Sequence, residues 1–84
     1  MWLVVDRTEE NTVILQDDGE TLYTLSTADY IALAGEPPVE SLVLEAQVDN
    51  GRIVALTPSP EETERRRSAA RERLRRLAAR PRKW

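Results

Sequence analysis

Two short acidic turns, Asp17-Asp18-Gly19-Glu20 and Asp49-Asn50-Gly51, punctuate the first 57 residues, and each is flanked by apolar runs of only a few residues. A chain punctuated this way forms short strands joined by hairpins, because Asp-Gly and Asn-Gly supply the positive-φ positions of tight turns. Residues 2–6, 12–16, 21–25, 42–48 and 52–57 read as five strands. The cleanest lies at 42–48: Leu42, Leu44, Ala46 and Val48 share one face, while Val43, Glu45, Gln47 and Asp49 share the other. That period of two predicts a sheet buried on one face and mostly wet on the other.

Between the third and fourth strands the pattern changes. Ser26 is a cap-type residue with Asp29 three positions on, Tyr30, Ile31 and Leu33 are available for burial, and Gly35 offers a stop. This predicts a short helix over 27–34. Pro37-Pro38 then leads in extended form to the fourth strand. The expected fold is α+β and mainly β, a five-stranded, barrel-like antiparallel sheet of SH3-like or OB-like proportions, followed by one C-terminal α-helix. Closing such a sheet hides the edges that otherwise invite aggregation.

The C-terminal helix has the best-defined start in the chain. Ser59 is a good N-cap, Pro60 suits the first helical position, and Glu61 and Glu62 favour the positive end of the helix dipole. Ser59 and Glu62 also have capping-box spacing. Helix formers then run to Ala79, and Pro81 stops them. Glu61–Arg65, Glu62–Arg66 and Glu72–Arg76 are spaced four apart, in the order that supports a helix.

Charge divides the chain at the same point. Residues 1–57 carry eleven acids and two bases, Arg7 and Arg52, a net of −9; residues 58–84 carry four acids and ten bases, a net of +6. The chain therefore reads as an acidic β-domain at 1–57 and a basic helix and tail at 58–84, with separate electrostatic roles.

The residue inventory narrows the chemistry. Without cysteine there is no disulfide and no thiolate metal site, and without histidine the commonest general base and zinc ligand is missing. Ser26, Ser41, Ser59 and Ser68 each have a structural reading as caps, turns or solvent-facing residues. Glu9-Glu10 and Asp17-Asp18 fall in surface turns, where no buried pocket sets one carboxylate apart as an acid and the other as a base. Asp17-Asp18-Gly19-Glu20 lacks the alternating acids of a calcium loop. No enzymatic activity, metal, cofactor or small-molecule substrate is expected. Asp6-Arg7 reads as a structural pair tying the first strand to a neighbouring turn or to the helix. The apolar run before Asp6 is too short for a secretory or membrane segment, so a cytoplasmic, non-membrane protein is expected.

Val4-Val5-Asp6-Arg7, the acidic hairpin Asp17-Asp18-Gly19, the turn Asp49-Asn50-Gly51 and the helical run Glu64-Arg65-Arg66-Arg67 together resemble a family. It is the family of small bacterial proteins catalogued as domain of unknown function three thousand and six. Members typically place a proline and a Gly-Asp step before the fourth strand, where this chain has Pro37-Pro38-Val39-Glu40-Ser41. The resemblance implies no activity. Through members attached to or neighbouring metallo-β-lactamase-fold hydrolases related to DNA-uptake proteins, it implies an accessory role near nucleic-acid handling.

The helix carries the functional reading. Arg65, Arg66, Arg67, Arg71, Arg73, Arg75, Arg76, Arg80, Arg82 and Lys83 make a cationic rod, and arginine pairs bidentately with carboxylate or phosphate. Ala70, Leu74 and Leu77 form a narrow apolar seam that must be covered somewhere. Its own acidic domain, a second copy and a separate protein are the three candidates. The 4-3-4-3 spacing of Thr63, Arg67, Ala70, Leu74 and Leu77 admits pairing, although the seam is thin for a coiled coil. Arg65, Arg66, Arg71, Arg75, Arg76, Leu74 and Leu77 are the candidate partner-binding residues of a non-catalytic adaptor. The alternative is a weak nucleic-acid-binding accessory protein, disfavoured by the acidic domain and by a sheet poor in aromatics.

Overall fold

The computed structural model describes residues 1–79. Its elements run β1 (Trp2–Glu9), β2 (Thr12–Asp17), β3 (Leu22–Ser26), α1 (Thr27–Ala34), β4 (Val43–Asp49), β5 (Arg52–Pro58) and α2 (Pro60–Ala79). The five strands form one antiparallel sheet in the order β3-β2-β1-β4-β5, curled into a half-barrel. β1 is the hinge of this curl. It pairs with β2 along its length and with β4 over Trp2–Val4, and a bulge at Asp6 shifts its register. A second irregularity falls between Gln47 and Val48 of β4. Bulges of this kind bend a strand and tighten its twist, which lets so few strands wrap a core.

The core follows from strand periodicity. Leu3, Val5, Val13, Leu15, Leu44, Ala46 and Leu56 point to the concave side and meet Tyr30 of α1, all of them buried. Each large apolar side chain removed from water there contributes roughly 1.5–3 kcal/mol. α1 lies across the open side of the curl and touches β5, β3 and β2. Its ends are capped as expected. The Ser26 hydroxyl accepts from the Asp29 N–H, and Gly35 adopts φ 80° so that its N–H reaches the Ile31 carbonyl.

Several local expectations need correction. Val43, expected on the wet face of β4, is 1% exposed because the start of α2 is fastened beside it. Gly19 is not the positive-φ residue of the β2–β3 turn; Glu20 is, at φ 66°. The Asp17 carboxylate explains the shift, since it accepts from both the Gly19 and Thr21 N–H groups and closes the loop itself. At the β4–β5 turn the expectation holds, with Asn50 at φ 52° and Gly51 at φ 76°. Arg7 does not reach the helix or another turn. It bonds Asp6 at 2.7 Å and Glu9 at 2.8 Å within its own strand, straddling the bulge. Its guanidinium pKa is raised, first by the bond to Glu9.

Candidate interaction helix

α2 is joined to the sheet as a continuation of a strand ladder. Where β5 ends, the Ser59 N–H donates to the Val43 carbonyl at 2.9 Å. One helical turn later the Val43 N–H donates to Thr63 Oγ1 at 2.8 Å, and that hydroxyl donates back to the Ser59 carbonyl at 2.8 Å. The first turn of the helix thus occupies the edge of β4 that β5 leaves open, and the Val43 N–H and C=O are both paired there. Ser59 also caps the helix by accepting from the Glu62 N–H at 3.2 Å. The reciprocal half of the capping box is not formed, because the Ser59 N–H is already committed to β4.

Glu62 is turned to another use. Its carboxylate, almost wholly buried, accepts from Arg65 at 2.7 Å and from Arg66 at 3.0 Å. These two bonds hold its pKa below the ordinary carboxylate range. Arg66 reaches further, to Asp18 of the β2–β3 turn at 3.3 Å. Helix, β4 and the far hairpin are therefore clamped together by Thr63, Glu62 and Arg66.

Beyond Arg66 the helix leaves the domain. From Arg67 to Leu77 every residue is exposed, and the molecule extends 53 Å along its long axis against 24 Å across. Leu74 is 65% and Leu77 58% exposed. Thr63, Ala70, Leu74 and Leu77 recur at helical spacing, so the stripe that seats the helix on β4 continues along the rod with no other described residue packed against it.

The predicted partner-binding residues consequently separate into two groups. Arg65 and Arg66 belong to the clamp at the base. Arg71 is exposed and bound to Glu64 at 2.6 Å, while Arg75 and Arg76 lie 3.6 and 3.8 Å from Glu72. Exposed pairs of this kind contribute little and exchange readily for better partners. Arg67 and Arg73 form no ion pair with another described residue, and they join Arg71, Arg75 and Arg76 as the outward cations. From Ser68 to Ala79 four arginines face a single carboxylate, Glu72. The expected contributions of Arg80, Arg82 and Lys83, and the stop at Pro81, lie outside the described residues. Sequence reasoning missed the Thr63 hydroxyl and Asp18, neither of which carries a local signal.

The domain presents a different surface. Glu9 and Glu10 stand at the β1–β2 turn and Asp49 at the β4–β5 turn. The β2–β3 face away from the core offers Thr12, Gln16, Leu22 and Thr24 rather than arginine or aromatic rings. A second feature is a groove of about 730 Å³ where the edges β3 and β5 approach α1. It is lined by Leu22, Tyr23, Leu25, Leu33 and Ile53, with Asp29 and Arg52 among its polar members. The Tyr30 hydroxyl is buried with no hydrogen-bond partner among the described residues, and burial pushes its pKa up to about 12. No group of three or more acids suited to a metal ion occurs among the described residues, and no described helix is long and apolar enough to cross a membrane. Comparison with protein-family models, with curated proteins and with solved structures finds no significant match for this chain.

Proposed function

We propose that this chain is a non-catalytic adaptor in which a small acidic domain holds a basic helix outward as a docking arm. The arm engages an acidic protein surface that has an apolar strip. Arg67, Arg71, Arg73, Arg75 and Arg76 supply the charge, and Ala70, Leu74 and Leu77 supply the buried contact. The observation that carries this reading is the exposure of Leu74 and Leu77 on a helix whose base is pinned to the sheet. An amphipathic helix laid into a complementary surface is a common recognition mode, with anchors at the spacing seen here. A cytoplasmic setting and membership of the small bacterial family that the sequence resembles are part of the same proposal.

Acidic turns on the sheet weigh against phosphate binding by the domain, which leaves the arginines of the helix as the sole basis for a nucleic-acid role. A titration separates the two. The full chain, a truncation ending at Arg66 and the double substitution Leu74→Gln/Leu77→Gln are titrated with an acidic, leucine-bearing helical peptide and with short single- and double-stranded DNA. Binding of the peptide by the full chain alone supports the adaptor. DNA binding that falls steeply with salt and ignores both leucine substitutions overturns it.

A further inference from the structure

The molecule carries a rod with an exposed leucine stripe and, elsewhere, a groove in which Leu22, Tyr23, Leu25, Leu33 and Ile53 stand beside polar groups such as Asp29, with no described residue of α2 in its lining. We propose that the Ala70–Leu74–Leu77 stripe of one copy seats in the β3–α1–β5 groove of a second copy. This deepens the adaptor reading and rests on it, by naming the partner surface as the protein's own acidic domain in trans.

Reach excludes the same contact within one chain. Thr63 is bonded to Val43 and Arg66 to Asp18, so the base of α2 is fixed on β4 and the β2–β3 turn. The groove lies between the opposite edges of the sheet, against α1, and no residue of α2 lines it. A helix rising 1.5 Å per residue cannot turn back around the sheet without breaking.

Charge selects the groove over another helix. Pairing two copies of α2 along the seam places Arg67 on the contact line and sets arginines against arginines, the juxtaposition that costs most at an interface. The groove has Asp29 on its lining, and Glu20 and Asp49 belong to the turns that lead into its walls. Among the described residues Arg52 is the one cation along it, within a domain of net −9. Leu25, Leu33 and Ile53 supply the groove's apolar contacts, and Leu22, on the outer side of the edge strand β3, stands 54% exposed at the rim. Reciprocal insertion, each helix into the other copy's groove, closes a two-fold dimer.

Sedimentation velocity on the full chain across a concentration series tests this, with circular dichroism confirming that each variant folds. The wild-type chain is expected to dimerise reversibly, more weakly at high salt. Leu74→Glu/Leu77→Glu in the arm and Leu22→Glu in the groove are each expected to weaken the dimer on the order of a hundredfold. Mixing the two variants is expected to restore association, because the arm of one meets the groove of the other. A wild-type chain that stays monomeric overturns the inference, and so does a Leu22→Glu variant that dimerises normally, which signifies helix–helix pairing. Either failure leaves the peptide titration to judge the adaptor reading separately.

Discussion

Replacing Thr63 with valine tests the joint between arm and domain. Valine keeps the shape of threonine, and Thr63 is only 7% exposed, so packing at the site is preserved. The hydroxyl is lost, and with it the acceptor for the buried Val43 N–H at 2.8 Å and the donor to the Ser59 carbonyl. Leaving a buried N–H unpaired costs about 1–3 kcal/mol. For a domain of this size each kcal/mol lowers the melting temperature by about 4–8 °C, so a fall on the order of 10 °C is expected. Thr63→Ser is the control: it retains the hydroxyl and loses one methyl, a cost of about 1 kcal/mol or less. Urea and thermal unfolding followed by far-UV circular dichroism give both values. If valine is as stable as threonine, or if serine costs more than valine, the hydroxyl is not the fastening and the joint is held by packing alone.

Two further substitutions probe groups whose protonation the fold controls. Tyr30→Phe removes a buried hydroxyl that has no partner among the described residues and is expected to stabilise the domain by about 1 kcal/mol. Because burial raises this phenol from its ordinary value to about 12, the folded state holds its proton when the unfolded chain has begun to lose it. Stability is therefore intact below pH 10 and falls by about 1.4 kcal/mol per pH unit from 10 towards 12. An alkaline denaturation series should show that fall in the wild type and its loss in the phenylalanine variant. At the acidic end the sign reverses. Glu62 is held below the carboxylate range by Arg65 and Arg66, so its contribution is full above the unfolded value and is lost as pH drops through the folded one. Glu62→Gln should lower stability at neutral pH and flatten the acid limb. An unchanged acid limb would mean that this pair of bonds does not stabilise the fold.

Local chemistry explains what could be read without the structure. Ser26 and Gly35 bracket α1, Ser59-Pro60 opens α2, Asn50-Gly51 turns β4 into β5, and each signal depends on near neighbours in sequence. The errors arise where a distant segment competes for a group. Glu62 has the spacing to complete a capping box, but Ser59 N–H is taken by Val43, sixteen positions earlier. Val43 sits in a clean alternation and is buried nonetheless, because the chain returns to cover it. Arg66 has the appearance of one more solvent cation until Asp18, separated from it by 48 positions, is brought alongside. The groove was illegible for the same reason, since Leu22, Leu33 and Ile53 become neighbours only when the sheet curls. The apolar seam was legible because helical spacing alone defines it.

Hydrogen exchange resolved by residue reads the state of the projecting helix itself. A helix pinned at its base and free beyond it has little tertiary support for its outer turns, which are then marginal on their own. In dilute protein, amides near Thr63–Arg66 should be strongly protected and those from Arg67 to Leu77 weakly so. On adding the acidic peptide or raising the protein concentration, protection should rise across Arg67–Leu77 and stay constant at the base. If those outer amides exchange at the same rate under every condition while another surface becomes protected, α2 is not the docking arm.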